Sequence, residues 1–241
     1  MALLNIEWGI DGLKRAVARK DNIVIIDQLR FSSTIVIATA LGFVIEPTSD
    51  KSRRTESFTL SPLTFFDKKP GRVVVASSNG AFLSINAKDG KRVVYGSILN
   101  AKAVGDWINK INGNTTLLAA GEIGGRDRHP KGKELEMLRN NPIFCIEDFM
   151  AAGAIARSSN IKKTDECVAA ENFFDSVKDK LIEVLKGTAS HEYNAAKGNG
   201  GDTEYTAKLN QYNVVPILHF VDGIPEIKPP KQATEKAHRI S

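Results

Sequence analysis

An α/β fold is predicted by two features of this 241-residue sequence. Short apolar runs, Ile23–Ile26, Arg72–Ala76, Lys91–Tyr95 and Thr116–Ala120, each stop abruptly at small or polar residues, as strands of a buried sheet do. Helical segments lie between them: Ile35–Leu41, closed by Gly42, and the amphipathic stretch Asn100–Ile111, with Ala103, Trp107, Ile108 and Ile111 on one face. In an open α/β sheet, ligands sit beyond the carboxyl ends of the strands, where helix N-termini offer unpaired N–H groups to an anion.

In chain order, residues 1–20 hold a short apolar segment and then GLKRAVARK, which fits an amphipathic helix leading into Ile23–Ile26. Phe43–Pro47 reads as the next strand, followed by a polar, basic connection, Thr48–Glu56, and a turn at Ser61-Pro62. Arg126–Lys133 reads as an exposed loop, with His129 solvated. The small-residue segment after Asp148 reads as a helix packed closely on the sheet. Asp165–Lys186 carries Ala170, Phe173, Phe174, Val177, Leu181, Val184 and Leu185 at helical spacing and predicts one long helix ending at Gly187. Ala195–Asp202 is glycine-rich but follows no strand and lacks P-loop spacing. Thr203–Gln211 predicts a short helix, and Val214–Phe220, Asp222-Gly223 and Ile224–Ile227 a β-hairpin.

Composition excludes several classes. With 42% hydrophobic and 25% charged residues and no run of about eighteen apolar residues, the chain reads as globular and without a membrane span. The N-terminus lacks the pattern of a secretory signal, so the expected location is the cytoplasm. Cys145 and Cys167 make no disulfide framework or zinc spacing and read as buried thiols. The net charge of +5 raises nucleic acid as a partner. Against it, the clusters Lys51–Arg54, Arg126–Lys133 and Lys228–Arg239 are dispersed and have little aromatic interleaving. Residues 1–228 read as a single α/β domain and 229–241 as a polar tail.

The strand ends carry the chemistry. Asp27 follows the first apolar run directly, and Arg30, Ser32, Ser33 and Thr34 come next, placing Asp27 and Arg30 where a phosphate or metal-bound phosphate is held. A structural role is equally open: Asp27 capping the helix and Arg30 pairing with a surface carboxylate. Ser77-Ser78-Asn79-Gly80 ends the second run, its hydroxyls binding an anion or capping the next element. Ser97 and Asn100 follow the third run, and Gly121-Glu122 the fourth. Asp27 and Glu122 above adjacent strands would make a hard oxygen-ligand set suited to magnesium. Glu147 and Asp148 stand at a helix N-terminus; the helix dipole accounts for one of them and leaves the other for the site.

These pieces, in this order, resemble the 2-phosphosulfolactate phosphatase family. Asp27-Gln28-Leu29-Arg30-Phe31-Ser32-Ser33-Thr34 resembles its D-x-L-R-x-[ST]-[ST]-T segment, and Leu60-Ser61-Pro62-Leu63 its SP-containing loop. Ser78-Asn79-Gly80-Ala81 resembles its [ST]-N-G-[TA], and Gly96–Ala101 its G-S-x-x-N-A. Ala120-Gly121 stands where the family has C-A-G. Ile146-Glu147-Asp148 with Ala152-Gly153 is similar to its L-E-D-x-x-x-A-G, and Asp202 with Val214-Val215-Pro216 to its C-terminal pattern. The resemblance spans roughly residues 22–228. Departures are Ala119 for the family's Cys, Gln28 for Val, an insertion around Arg126–Asn140, and Tyr193-Asn194 in place of a G-R pair.

The resemblance implies a three-layer α/β/α fold with a mixed, largely parallel sheet. It also implies a Mg²⁺-dependent phosphatase acting on a small anionic phosphate monoester, in the type member 2-phosphosulfolactate, giving 3-sulfolactate in coenzyme M biosynthesis. Catalytic work is expected of Asp27, Arg30 and Glu122. Mg²⁺ is expected on Asp27 and Glu122, with Glu147 and Asp148 as further ligands, and substrate contacts from Ser33, Thr34, Ser78, Asn79, Gly80, Ser97 and Asn100. Either Asp27 or a metal-bound water is the nucleophile. The alternative is a non-catalytic phosphate-ester-binding or regulatory protein on the same fold. A homodimer is a further possibility.

Overall fold

The computed structural model describes residues 2–123, 132–139 and 141–228. The tail 229–241 and most of Arg126–Lys133, His129 included, lie outside the described residues. The strands are Leu3–Trp8 (β1), Asn22–Ile26 (β2), Val44–Thr48 (β3), Arg72–Ala76 (β4), Arg92–Gly96 (β5), Thr115–Ala119 (β6), Lys162–Lys163 (β7), Ile217–Val221 (β8) and Ile224–Lys228 (β9). They form one sheet in the order β4-β3-β9-β8-β5-β2-β6-β1-β7. Parallel pairing runs through β5, β2, β6, β1 and β7, and again between β3 and β4. The hairpin β8–β9 is antiparallel and joins the two groups through one register pair on each side, Val94 with Ile217 and Ile45 with Ile227.

The helices are Gly9–Ala18 (α1), Phe31–Ala40 (α2), Gly80–Asn86 (α3), Ala101–Lys110 (α4), Gly132–Arg139 (α5), Ile146–Arg157 (α6), Asp165–Val177 (α7), Leu181–Lys186 (α8), Ala189–Ala196 (α9) and Gly201–Thr206 (α10). Successive strand side chains point to opposite faces, so Ile23 and Ile25 of β2 enter one core while Val24 and Ile26 enter the other. The first core takes Ile10 and Leu13 of α1, Phe31 and Ile35 of α2 and Leu83 of α3. The second takes Val104 of α4, Met150 and Ile155 of α6, Phe174 of α7 and Leu185 of α8. Helices therefore cover both faces, giving the three-layer arrangement with a mixed, mostly parallel sheet that was expected. Helix α2 is buried throughout Phe31–Thr39 because a third cluster closes over its outer side, where Val36 and Ile37 meet Leu99 and Val214.

Several elements differ from expectation. Leu3–Trp8 is a full strand paired on both sides, by β6 and β7, rather than an undefined apolar segment. The expected long helix Asp165–Lys186 is two helices, because a 3₁₀ turn, Lys178–Lys180, is entered through Val177 and left through Lys180, whose φ values of −122° and −130° leave the α-helical region. The glycine-rich stretch ends α9 and begins α10, where a later and longer helix was expected. The terminal hairpin forms about its expected turn, with Asp222 and Gly223 both at positive φ (51° and 79°), as a type I′ turn requires. No helix of the described residues is long and apolar enough to cross a membrane, and both cysteines are buried.

Candidate active site

Asp27 leaves the end of β2 with its carboxylate held by two backbone donors: Phe31 N–H gives to Oδ1 at 3.0 Å and Gly80 N–H to Oδ2 at 2.9 Å. The turn after β4 thus reaches Asp27 although β4 is the far edge strand, separated from β2 by β3, β9, β8 and β5. Position 80 has to be glycine: a Cβ there would stand 2.3 Å from Phe31 Cδ1 and 2.8 Å from Asp27 Oδ2. Asn79 spans to the end of β6, donating to Gly121 O at 3.1 Å and to Glu122 Oε1 at 3.3 Å. Gly121 takes φ +68°, and a Cβ on it would collide with Ile143 O at 2.7 Å. Asp148, from the first turn of α6, accepts from Gln28 N–H at 2.8 Å and Gly121 N–H at 2.9 Å, tying the ends of β2 and β6 to that helix.

The segments bearing Asp27, Asn79–Gly80, Gly121–Glu122 and Glu147–Asp148 therefore converge. All four carboxylates are raised in pKa. Burial pushes Asp27 up to about 6 against the pull of its two N–H donors, with Glu122 and Glu147 adding to the rise. Burial raises Asp148, with Asp27 and Glu147 adding repulsion. Burial also raises Glu122 and Glu147, the latter opposed by a hydrogen bond from Ser190. A cleft of about 220 Å³ opens beside Glu122 and Glu147, walled by Phe144 and Cys145 on one side and by Gly187–Ser190 on the other. Cys145 in its wall is held far up as a thiol by burial and by these acids.

None of the four carboxylates has a Lys, Arg or His partner among the described residues, and Asn79 Oδ1 is buried without a hydrogen bond. A concentration of buried negative charge with a spare oxygen acceptor is the donor chemistry of a hard divalent cation. Among the described residues, no three Asp, Glu, His or Cys side chains are gathered into a cage that holds an ion unaided. Asp27 and Asp148 each have both carboxylate oxygens on backbone N–H groups, so a metal contact at either would be additional to those bonds. Magnesium suits such an open arrangement, since it takes one or two carboxylates and completes its shell with waters and substrate phosphate.

Arg30 is buried at the head of α2 and pairs with Asp202 of α10. The other Asp202 oxygen accepts from Ser61 Oγ at 2.6 Å. Neither Asp202 nor Ser61 stood among the expected site residues; their place within the C-terminal and SP-loop motifs was the available signal. Gln28, which stands where the family's motif has Val, joins three segments through its buried amide. Nε2 donates to Thr206 O at 3.1 Å, and Oε1 accepts from Ile98 N at 3.0 Å.

The other expected substrate contacts divide. Ser78 and Asn79 lie half-buried on the turn beside Asp27. Ser33 and Thr34 are buried with their hydroxyl protons on carbonyls, Ser33 on Gln28 O at 2.8 Å and Thr34 on Leu60 O at 2.7 Å. Ser97 caps the turn that follows β5. Asn100 gives its two amide protons to Tyr95 O at 3.1 Å and Val214 O at 2.9 Å, and its Oδ1 takes Ser97 N–H. With these bonds Ser33, Thr34, Ser97 and Asn100 fasten the loops around the site. The structural roles that the sequence leaves open for Asp27 and Arg30 are realised in part. Asp27 does cap α2, and Arg30 does meet a carboxylate, though a buried one.

The chain is 27% identical over 231 residues to a protein of Carboxydothermus hydrogenoformans named "Probable 2-phosphosulfolactate phosphatase", covering 83% of this chain and 87% of that one. Proteins of the same name from Thermotoga maritima and Clostridium botulinum are 26% and 23% identical, covering 83% and 82% of this chain and 89% of each relative. The family of 2-phosphosulpholactate phosphatases matches residues 50–220, and on that match the chain belongs to this family of phosphoric monoester hydrolases.

Proposed function

We propose that this chain hydrolyses 2-phosphosulfolactate to 3-sulfolactate and phosphate with Mg²⁺ as cofactor, in a cytoplasmic pathway of the coenzyme M type. The observation that carries the reading is the convergence of Asp27, Asn79, Glu122, Glu147 and Asp148, a buried acidic group with no basic partner among the described residues, of which Glu122 and Glu147 line the cleft. Asp27 and Glu122 would hold the Mg²⁺, with Glu147 nearby and Asn79 Oδ1 as a neutral acceptor. The ion would neutralise phosphoryl charge and lower the cost of bringing a dianionic ester against carboxylates.

The chain's own residues supply the rest. Arg30 offers guanidinium N–H to the phosphoryl oxygens, and its planar fork suits two-point contact. The Asp27 carboxylate, fixed by Phe31 and Gly80, has its orientation set before substrate arrives. With a pKa of about 6 it is largely ionised at neutral pH and serves as the nucleophile or as the base for an attacking water. Ser190 holds Glu147 facing the cleft.

The test is phosphate release from 2-phosphosulfolactate and a panel of small phosphomonoesters, with Mg²⁺ or with EDTA. Release that requires Mg²⁺ and is fastest with 2-phosphosulfolactate is the expected outcome. Binding of these esters without turnover would favour the non-catalytic alternative; turnover undiminished in EDTA would remove the metal from the mechanism.

A further inference from the structure

Arg30 carries two features that a purely structural ion pair does not explain together. It is held by Asp202, which is itself buried and fixed at its second oxygen by Ser61. Yet Arg30 Nε is buried with no hydrogen-bond partner. Buried donors are nearly always satisfied, and an arginine retained only to tie loops together would have its remaining N–H groups on carbonyls. A guanidinium gripped on one nitrogen, with a donor left over three residues beyond Asp27, is arranged to receive an acceptor from outside the chain.

We propose that Asp202 is a positioning residue for Arg30, with Ser61 fixing Asp202, so that the unpaired Nε–H is left for phosphoryl oxygens of the substrate. The inference rests on the reading of Arg30 as the phosphoryl-binding group. Three stretches distant in sequence make the device: the turn after β2, the turn containing Ser61, and α10. Gln28 Nε2, donating to Thr206 O, makes a second tie between the first and the last of these. Without the carboxylate the guanidinium keeps its charge but loses the partner that sets its plane, and the planar fork is what distinguishes arginine from a point charge.

The experiment is a double-mutant cycle on the full chain with Mg²⁺, comparing wild type, Asp202→Asn, Arg30→Gln, the double variant, and Ser61→Ala. Phosphate release gives kcat and KM, calorimetry gives the affinity for inorganic phosphate, and thermal unfolding is recorded for each protein. Asp202→Asn is expected to weaken phosphate binding and raise KM by about 10-fold or more, the range of a charge-assisted contact. In the Arg30→Gln background the same change is expected to alter both by less than about twofold, because its effect passes through Arg30. Ser61→Ala, which leaves the ion pair in place, is expected to raise KM by about threefold, and it decides the matter if Asp202→Asn does not fold. Equal losses from Asp202→Asn with and without Arg30, or a lowered melting temperature with phosphate affinity unchanged, would overturn the proposal. Wild-type turnover tests the phosphatase reading separately: a chain that binds phosphate but hydrolyses nothing would sink that reading while the phosphate-affinity cycle still decides the role of Asp202.

Discussion

The Gly80 N–H and the Asp27 carboxylate meet at 2.9 Å, joining the turn after an edge strand to the end of a central one. Because a Cβ at position 80 would overlap both Phe31 and that carboxylate, Gly80→Ala must push Asp27 or the Phe31 ring aside. We expect it to lower stability by roughly 1–3 kcal/mol, the usual range for overpacking, and to reduce kcat by more than the folded fraction explains. Urea unfolding with phosphate-release kinetics checks this; an unchanged kcat would mean that Asp27 need not stay in place.

Asp27 makes stability depend on pH in a defined direction. Its pKa is raised by burial from 3.8 to about 6, so in this window the folded chain binds more protons than the unfolded one. Stability therefore falls as pH rises from about 4 to about 6, by at most about 1.4 kcal/mol per pH unit for a single group. Glu122, Glu147 and Asp148, also raised, act with the same sign. Urea unfolding in EDTA should show a shallower decline in Asp27→Asn than in wild type. Added Mg²⁺ should stabilise wild type at pH 7 more than the variant, which should release no phosphate.

Ser190 opposes the burial that raises Glu147. Removing its hydroxyl in Ser190→Ala should raise the Glu147 pKa further and move the acid limb of the kcat/KM profile to higher pH, leaving the alkaline limb where it was. An acid limb that does not move would show that Glu147 titrates outside the rate-determining chemistry.

Asn100 should behave as a fastener. Asn100→Ala strips donors from two buried carbonyls and an acceptor from Ser97 N–H, at roughly 1–3 kcal/mol for each group left unsatisfied. We expect a large loss of stability in urea with KM for the folded protein changed less than about twofold. A raised KM at full folding would return Asn100 to the substrate.

Much of this was legible because the relevant signals are local. Ile23–Ile26 followed by Asp27 declares a buried strand and a polar turn without reference to the rest of the chain, and Asp222-Gly223 declares a hairpin. Residue 202 gives no such signal, since its meaning comes from a guanidinium 172 residues earlier. The hydroxyls of Ser33 and Thr34 are ambiguous in sequence for a related reason: a hydroxyl at a helix start suits an anion or a neighbouring carbonyl equally well, and only the packed structure shows the carbonyls they reach. The break in Asp165–Lys186 was invisible because apolar spacing reports which face is buried, while one tightened turn barely shifts that face.

The hairpin of residues 217–228 gives the fold an order of assembly. It supplies the paired link between β5 and β3 in the middle of the sheet, so neither flank can be zipped to the other while those residues are still being synthesised. Until then the nascent chain carries two open seams, one along Val94 and one along Ile45, whose backbone groups stay exposed to competing strands and to chaperones.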